Sequence, residues 1–597
     1  MAAIVDQGSA SLLQGGELPH SHLEFQLSSD RTQYIRRIHG RERFSASASQ
    51  YSEGSMHQSG NAHLLFKEPI SRQKIYTHAR AAWMKLRFHA PWIAYRCTPI
   101  MDDPEPNSFL FSYDIIGHNS KLTANGLKDL EAWADESIRM REQPCTFAEW
   151  EMEMKEKFWN PNDRLASELH IARGINDKHW FTTFCTPDWS GDARAIFSVC
   201  NVFLKLLTKE VQASNRADSP LSGEESLWQT QPNFVPYQEL AWGEEVCRLT
   251  PSSTVFMPDA GKEVALKTHP FTKIVFERIP FPSQSIPISV DQKSLKGDSL
   301  LEKIILSPSE TQAINLACQK TRCSLTVLLN SVLLLADVEK ALRTLHAESL
   351  IQNSPSLSTL IEENWLKSEV FCIPANPVNM RAFIWPKDQV THEQCTSGGI
   401  FNLMVPSYHS MNAIRKCLSF KDGKVHRTWY DNPTAFWGEL LPDTDRLLKA
   451  GAKQPPSAYH LSASLAERMA PVVGSPCSES LYVQPIGIMP SSIGNMERLG
   501  LYNDFSPLAQ KEKISTNDEP PFLVPEMSVG VRSHNTPAIV ISTWEYNGSM
   551  VLNVQASKRH QTAEGWEIFS QAVKDGLKHI VEGVLARGRK ENTRAVL

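Results

Sequence analysis

The stretch HWFTTFCTPDWSGDARAIFSVCNVFLKLL, residues 179–207, decides which fold we expect for this chain. Its first part, His179–Thr186, is aromatic and rich in threonine and ends before a proline, which is typical of a buried strand. From Ala193 onward apolar residues recur with a helical period and form one face of a predicted helix; they are Ile196, Val199, Cys200, Phe203 and Leu207. Residues 187–192 are therefore predicted to form a short loop between a strand and a helix.

On the N-terminal side of this stretch the sequence predicts mainly helices. A helix is expected over Arg72–Ala90, ended by Pro91, and two more are expected within Asn125–Lys157. Ser45–Ala62 is rich in Ser, Gly and Gln and contains few apolar residues, so we predict a loop there.

On the C-terminal side the pattern alternates between helices and strands. Ser307-Pro308-Ser309-Glu310 is a good helix start, with a capping serine and a proline at the first helical position. A buried helix is predicted over Leu325–Leu342. Ala538–Trp544 and Met550–Ala556 are predicted to form a strand hairpin, followed by an amphipathic helix over Thr562–Glu582. This mixture predicts α/β layers in two lobes.

We divide the chain into four predicted segments. Residues 1–20 are expected to be a flexible tail, and residues 21–210 an N-terminal lobe. Residues 211–300 are expected to contain a crossover arm, because their first part is polar and contains several prolines. Residues 301–597 are expected to form a C-terminal lobe.

Composition excludes several classes of protein. The 597 residues contain 61 Lys and Arg and 66 Asp and Glu, so a net charge of −5 provides no strong field for nucleic acid or an anionic membrane. The 11 cysteines are scattered without a C-x-x-C pair, which argues against a zinc site and against a disulfide scaffold. The N-terminus lacks the features of a signal peptide, and no apolar run is long enough to span a bilayer. We therefore predict a cytoplasmic protein without a metal.

The common signatures G-x-G-x-x-G, Walker A, G-x-S-x-G and H-E-x-x-H are absent. What remains is an ordered set of segments, namely FTTFCTPDWSGDARAIFSVCNVFLKLL, ILSPSETQAINLACQKTRCSLTVLLNSVLLLADVEKAL, IPANPVNMRAFI and YVQPIGIMPSSIGNMERLG. This order resembles the condensation-type, chloramphenicol-acetyltransferase-like acyltransferases, and in particular the fungal branch that includes trichothecene 15-O-acetyltransferase. The plant-type BAHD acyltransferases share that fold, but their D-F-G-W-G segment is absent.

The resemblance implies an α/β fold of the chloramphenicol-acetyltransferase type (condensation-domain and BAHD-like), with two lobes that meet along a central tunnel. It also implies an H-x-x-x-D motif, whose His is a general base and whose Asp pairs with an Arg of the second lobe. Aligned by the helix that follows, Asp192 takes the Asp position and Asp188 takes the His position, so the catalytic histidine is missing. By the same resemblance Arg381 is the partner of Asp192, and Arg194 is the competing partner.

Asp188 has two interpretations. A buried carboxylate beside Asp192 would have a raised pKa and could accept the proton of an alcohol, although Asp is a weaker base than His. Alternatively, Asp188 is a loop residue that caps the following helix. The resemblance also implies that Ser491, Ser492 and Gly494 line the tunnel, where the Ser492 hydroxyl could stabilise an oxyanion. The competing interpretation is a Ser-Ser turn.

Other candidate tunnel residues are Phe184, Trp189 and His409. A position in the core is an equally simple interpretation of the two aromatic residues. His409 and His179 are the histidines considered as a replacement base, although single histidines are more often ordinary surface or core residues.

The first functional hypothesis is an acyl-CoA-dependent O-acyltransferase that transfers an acetyl group to a hydroxyl of a fungal secondary metabolite. The second hypothesis keeps the fold but changes the chemistry to a cyclisation or cycloaddition of one bound substrate, because the histidine is missing. The third hypothesis is a non-catalytic pseudoenzyme. The expected partners are a small molecule and acyl-CoA as a co-substrate, with no bound cofactor, no nucleic acid and no membrane, and the expected state is a monomer.

Overall fold

The computed structural model describes residues 23–51, 53–157, 165–217, 235–256, 299–381, 398–453, 456–473, 487–512, 519–534 and 538–595. The strands of these residues are β1 (Gln26–Leu27), β2 (Gln33–Arg37), β3 (Gln58–Phe66), β4 (Arg96–Pro99), β5 (Phe109–Asp114), β6 (Gly117–His118), β7 (Lys121–Leu122), β8 (Ile138–Met140), β9 (Glu168–Arg173), β10 (His179–Thr186), β11 (Ser299–Leu306), β12 (Val370–Asn379), β13 (Asn402–Ser410), β14 (Ser419–Lys421), β15 (Lys424–His426), β16 (Ile488–Asn495), β17 (Phe522–Val531), β18 (Ile539–Tyr546) and β19 (Ser549–Ser557).

The α-helices of the described residues are α1 (Arg41–Tyr51), α2 (Arg72–His89), α3 (Ala124–Ser137), α4 (Phe147–Lys155), α5 (Ala193–Ala217), α6 (Pro308–Thr321), α7 (Leu325–Ile351), α8 (Pro355–Lys367), α9 (Met411–Cys417), α10 (Leu441–Ala452), α11 (Pro456–Met469), α12 (Pro507–Glu512) and α13 (Ala563–Ala595). A four-stranded sheet in the order β1-β2-β5-β4 packs with the first lobe, and two further sheets of four or five strands form the centres of the two lobes. The first lobe contains a five-stranded sheet in the order β17-β3-β10-β9-β8, and the second contains a four-stranded sheet in the order β11-β19-β18-β16.

The core of the first lobe lies between its sheet and helices α2 and α5. Helix α5 approaches strand β3 closely at Gly60, where a Cβ atom would lie only 2.6 Å from Cγ2 of Ile196. The absence of a side chain at Gly60 therefore allows α5 to pack on the sheet, and this contact fixes where the loop before α5 is held.

The core of the second lobe is built around α7, which packs against α13 and α6. Leu328 and Leu334 of α7 are both fully buried although six residues separate them, which places them about 120° apart around the helix. The prediction of a helix buried on both faces is therefore confirmed. The predicted start of α6 is also confirmed, since Ser307 and Glu310 form a reciprocal capping box.

Strand β17 connects the two lobes. It follows second-lobe elements in the chain but pairs antiparallel with β3 in the first-lobe sheet. Its other edge is covered by side chains of β19: Asn553 donates from Nδ2 to the carbonyl oxygen of Val529 at 2.6 Å, and Gln555 accepts from the backbone N–H of Val531 at 3.1 Å. Because Asn553 and Gln555 are fully buried, these bonds satisfy backbone groups that water does not reach.

The predicted loop over Ser45–Ala62 is wrong. Most of its first part belongs to α1, and strand β3 begins at Gln58. The sequence of α1, RERFSASASQY, has no broad apolar stripe, so its periodicity gave no helix signal. Its small residues Ala46 and Ser47 are nevertheless fully buried, which shows that tertiary packing rather than amphipathicity stabilises this helix.

The segment boundaries differ from those expected. Helix α5 continues to Ala217, past the predicted boundary at residue 210, and β17 adds a strand from the C-terminal part to the first lobe. Of the expected arm, residues 235–256 pack on the first lobe, where Trp242 is fully buried against Phe88. The expected tail over residues 1–20 lies outside the described residues. Among the described helices, none combines the length and the apolar character that crossing a bilayer requires.

We expect Asn553→Leu to lower the free energy of unfolding by about 1–3 kcal/mol, because the buried carbonyl of Val529 loses its donor. Urea denaturation of the variant and the unchanged protein would measure this difference. Gln73→Leu, at an exposed position of α2, is the control and should change it by no more than about 0.5 kcal/mol. Equal losses in the two variants would contradict a specific role of Asn553.

Candidate active site

The candidate site is built on the loop between β10 and α5. Asp192 caps α5, because the backbone N–H of Ala195 donates to its Oδ1 at 3.1 Å. The backbone of the loop also meets the second lobe, since the N–H of Gly399 donates to the carbonyl oxygen of Ser190 at 2.7 Å. The loop is thus held both by the helix it precedes and by the opposite lobe.

Trp92 lies beneath this junction and is fully buried. A Cβ atom at Gly191 would lie 2.9 Å from Cη2 of Trp92, and a Cβ atom at Gly398 would lie 2.5 Å from Cγ of the same ring. The two glycines therefore let backbone from each lobe lie directly on one indole ring. Larger residues at either position would separate the lobes at the site.

Asp192 and Arg381 form an ion pair between the lobes. Nη1 of Arg381 donates to Oδ2 of Asp192 at 2.8 Å, and the backbone N–H of Phe401 donates to the same oxygen at 3.2 Å. Asp192 is 4% exposed and Arg381 is 1% exposed, so water screens this pair very little. The Arg381 guanidinium also lies 5.0 Å from the centre of the Phe401 ring. Arg194, the competing partner, is half-buried and makes no ion pair with Asp192 within the described residues.

Asp188 lies four residues before Asp192 and is half-buried. Nε2 of Gln58 donates to its Oδ1 at 2.7 Å, and the hydroxyl of Ser45 donates to its Oδ2 at 3.1 Å. Burial raises the pKa of Asp188 above the ordinary value of an aspartate. The positive charge of Arg41 and the two donors oppose this rise, and the negative charge of Asp192 adds to it.

Helix α1 carries Ser45 and is fixed to both lobes. Glu42 forms a buried bidentate pair with Arg36 of β2, with both N···O distances at 2.8 Å. Arg41 donates to Oδ1 of Asn402 in the second lobe at 2.5 Å. The start of α1 is therefore bonded to the first lobe through Arg36 and to the second lobe through Asn402. Ser45 is held against Asp188 by this fixed helix rather than by a free loop.

His57 is the histidine next to Gln58 in the chain, but it does not contact Asp188. Its Nε2 lies 2.6 Å from the hydroxyl of Ser49 on α1. Burial, and secondarily the charge of Arg532, lowers the pKa of His57 to about 3, so this ring is neutral at neutral pH. Across the described part of the chain, no histidine hydrogen-bonds to Asp188 or Asp192.

The geometry can be compared with that of solved proteins. The trichothecene 15-O-acetyltransferase TRI3 from Fusarium sporotrichioides superposes with a TM-score of 0.67 and 14% sequence identity, over 95% of this chain and 99% of that one. The chain has the fold of this acetyltransferase. It is the two-lobed, chloramphenicol-acetyltransferase-like fold.

Two further solved structures superpose less closely. The epimerization domain from the third module of tyrocidine synthetase B gives a TM-score of 0.48 at 10% identity, over 90% of this chain and 94% of that one. The condensation domain of the monacolin K polyketide synthase MokA gives 0.47 at 9% identity, over 92% and 97%. No protein-family model matches the sequence, and no curated protein sequence matches it.

On this acetyltransferase-like fold, Phe184 and Trp189 belong to the buried core of the first lobe. Trp189 is fully buried, and its ring centre lies 5.4 Å from that of Phe111. Phe184 is 3% exposed and packs edge-on against Trp92 at 5.6 Å. Phe184 lies on β10 and Trp189 in the loop itself, and burial against other aromatic rings holds both side chains in place.

The two histidines considered as replacement bases lie away from the loop. His409 is fully buried in β13, with Nε2 2.8 Å from the hydroxyl of Ser407, and it pairs with Phe371. Asn402, at the start of β13, contacts Arg41 near the site. His409 lies seven residues further along this strand, or about 23 Å at the rise of a strand. His179 begins β10, at the opposite end from the loop, and its Nδ1 lies 2.9 Å from Nε2 of His63. Neither histidine hydrogen-bonds to Asp188 within the described residues, and the place of His409 on a tunnel stays a prediction.

Ser491, Ser492 and Gly494 lie on β16, an edge strand of the second-lobe sheet. The strand pairs parallel with β18 and shifts register between Ser492 and Gly494, where Gly494 has a φ of 101°. Ser492 is exposed and does not hydrogen-bond to Asp188 or Asp192 within the described residues. The predicted oxyanion role of Ser492 stays a prediction.

Sequence reasoning missed Ser45 and Gln58, the two donors to Asp188. Both fall in the segment that was predicted to be a loop. A usable signal was the apolar run NAHLLF, residues 61–66, because a strand extended three residues back from it would place Gln58 at a sheet end.

We expect Arg381→Met to lower the free energy of unfolding by about 3–5 kcal/mol, because it leaves the buried Asp192 carboxylate without its cation. The double variant Asp192→Asn/Arg381→Met should recover part of this loss, since it removes both charges. Chemical denaturation of the two single variants, the double variant and the unchanged protein would give the coupling energy.

Arg194→Met is the matched control, because it removes a neighbouring half-buried arginine that is not part of the pair. It should change the free energy of unfolding by less than about 1 kcal/mol. Additive losses in the double variant would contradict direct coupling between Asp192 and Arg381.

Proposed function

We propose that this protein is an acyl-CoA-dependent O-acyltransferase, in which Asp188 accepts the proton of an acceptor hydroxyl and the transferred group is acetyl. The acceptor in this proposal is a small secondary metabolite. The observation that carries the proposal is the half-buried Asp188 carboxylate, held by two donors at the junction of the lobes. The fold shared with an acetyltransferase supports the proposed reaction class.

The surroundings of Asp188 suit a carboxylate. Gln58 and Ser45 each donate one hydrogen bond, one to each oxygen. A carboxylate oxygen has two lone pairs, so each oxygen retains one that can accept the proton of a bound hydroxyl. Burial raises the pKa of Asp188 and so makes the carboxylate a stronger base than an exposed aspartate.

In the proposed reaction, Asp188 removes the proton as the acceptor oxygen attacks the thioester carbonyl carbon. A carbon–oxygen bond forms, the carbon–sulfur bond breaks, and the CoA thiolate takes the proton back from Asp188. Donors near the carbonyl would stabilise the oxyanion that forms between these steps, and Ser492 is the proposed donor. Asp192 takes no part in the proton transfer, because Arg381 and the Phe401 N–H engage its Oδ2.

A second candidate function is a rearrangement or cyclisation of one bound substrate without CoA. The observation that favours it is that none of the described histidines hydrogen-bonds to Asp188, so none of them is placed as the usual strong base of acyl transfer. In that case the Asp188 carboxylate would position a substrate hydroxyl or amine rather than deprotonate it fully.

We expect Asp188→Asn to reduce acyl transfer from acetyl-CoA by about 100-fold or more, because an amide cannot accept the proton. Asp188→His should retain measurable transfer, since imidazole is a base in the same position. Product formation by mass spectrometry with and without acetyl-CoA, using a panel of hydroxylated metabolites, would measure both effects.

Each alternative has its own outcome in this assay. Conversion of a substrate in the absence of any CoA thioester would favour the second candidate. An inactive parent protein that gains transfer only as Asp188→His would identify a non-catalytic protein on this fold. Gln73→Leu is the control and should leave the rate unchanged.

We expect the pH dependence of kcat/KM to report the raised pKa of Asp188. Activity requires the carboxylate, so kcat/KM should rise with pH through a pKa above the ordinary aspartate value and then level off. In Asp188→His this rise should move toward the ordinary histidine pKa of about 6.5. A pH profile that is identical in the two proteins would contradict Asp188 as the base.

The same pKa change affects stability with a defined sign. Because the folded-state pKa of Asp188 is raised, the folded protein binds the proton more tightly than the unfolded chain does. The stabilisation of the folded protein by this bound proton is present at low pH. It is lost as pH rises from the ordinary aspartate pKa through the raised pKa of Asp188. The stability of Asp188→Asn relative to the unchanged protein should therefore increase over that interval.

A further inference from the structure

The C-terminal end of α6 contains two cysteines in a defined backbone motif. Arg322 follows the helix in the left-handed conformation, with a φ of 55°. The N–H of Cys323 donates to the carbonyl oxygen of Cys318 at 3.1 Å, and the N–H of Arg322 donates to that of Gln319 at 3.2 Å. These two bonds are those of a Schellman motif, which reverses the chain so that the residues at the positions of Cys318 and Cys323 face each other.

In most Schellman motifs the two facing positions make an apolar contact. Here both facing side chains are thiols. Cys318 is buried among second-lobe core residues, whereas Cys323 is half-buried and reachable from the surface. The hydroxyl of Thr321 lies 3.1 Å from Sγ of Cys323.

The two thiols differ in acidity. Interaction with the facing Cys318 thiol lowers the pKa of Cys323 to about 6, with a further contribution from Thr321, while burial and the nearby Asp445 oppose the change. The same interaction and burial raise the pKa of Cys318. The accessible cysteine therefore supplies a thiolate, and the buried cysteine stays a thiol until it reacts.

We propose that Cys318 and Cys323 are a peroxide-responsive dithiol that closes into an intramolecular disulfide at the turn between α6 and α7. This site is separate from the candidate active site and does not depend on the function proposed for it.

The atoms and electrons of this reaction balance with a peroxide as the oxidant. The Cys323 thiolate attacks one oxygen of hydrogen peroxide, the oxygen–oxygen bond breaks, and a sulfenic acid and hydroxide are formed. The Cys318 sulfur then attacks the Cys323 sulfur, and the hydroxyl leaves as water with the Cys318 proton. In total two thiols lose two electrons and two protons, and one hydrogen peroxide becomes two waters.

The backbone motif places this disulfide where the fold can accept it. Cys323 is followed by Ser324, whose hydroxyl caps the start of α7 by accepting from the N–H of Val327. A bond between Cys318 and Cys323 would therefore join the last turn of α6 to the residue before the cap of α7. Because the backbone bond from Cys323 to Cys318 already brings the two residues face to face, closure requires rotation of two side chains rather than movement of a helix.

The chain offers a direct test by mass spectrometry. Trypsin cleaves after Lys320 and Arg322, so Cys318 lies in the peptide 304–320 and Cys323 in the peptide 323–340, each with one cysteine. The full-length protein is treated with a small excess of hydrogen peroxide, alkylated with iodoacetamide and digested without reductant. We expect the two peptides to appear as one disulfide-linked species, which dithiothreitol separates. Most of the molecules in which Cys323 is oxidised should give this species.

Variants distinguish the pair from general oxidation. Cys318→Ser should abolish the linked species and let Cys323 proceed to the sulfinic acid, because no resolving thiol remains. Cys372→Ser, which removes another half-buried cysteine, should leave the linked species unchanged. The proposal is overturned if peroxide converts Cys323 of the unchanged protein to sulfinic acid while Cys318 stays alkylatable, or if Cys323 is linked to a different cysteine.

Discussion

The ion pair between Asp192 and Arg381 is the interaction on which the candidate site depends. Both groups are almost completely buried, and a buried charge is tolerated only when an opposite charge with good geometry faces it. The position of Arg381 in the second lobe is therefore fixed relative to the first helical turn of α5. Because Asp188 belongs to the same short loop, the pair also determines where that carboxylate is presented.

The nature of the residue at position 188 is consistent with its surroundings. A carboxylate accepts hydrogen bonds and cannot donate them when ionised, and both groups that contact Asp188 are donors. Asp188 is half-buried, whereas Asp192 is almost completely buried. The structure thus gives two neighbouring acids different environments: Asp192 is paired with an arginine of the other lobe, and Asp188, the proposed base, accepts hydrogen bonds from neutral donors.

The sequence predicted those parts of the molecule that follow local rules. The capping box at Ser307, the buried helix α7 and the hairpin of β18 and β19 were predictable because a cap, a periodicity and a turn each lie within a few residues. The resemblance indicated Arg381 as the partner of Asp192, and the two residues are in contact in the structure.

The donors to Asp188 could not be predicted in the same way. Ser45 and Gln58 are more than 100 positions away from Asp188 in the chain, with separations of 143 and 130. Helix α1 carries small residues whose burial is decided by neighbours and not by their own hydrophobicity. Phe184 and Trp189 show a second limit of prediction from sequence. Aromatic residues suit both the wall of a ligand tunnel and a protein core, and the sequence does not distinguish these environments.

The crossing of β17 into the first-lobe sheet has a consequence for how the protein is made. Asn61 of β3 donates to Ser528 of β17 at 3.0 Å across a separation of 467 positions. During synthesis on the ribosome, the edge of β3 must stay without this neighbour until nearly the whole chain has emerged. The first lobe is therefore not an autonomous folding unit, and a nascent chain exposes an open sheet edge to other chains for most of its translation.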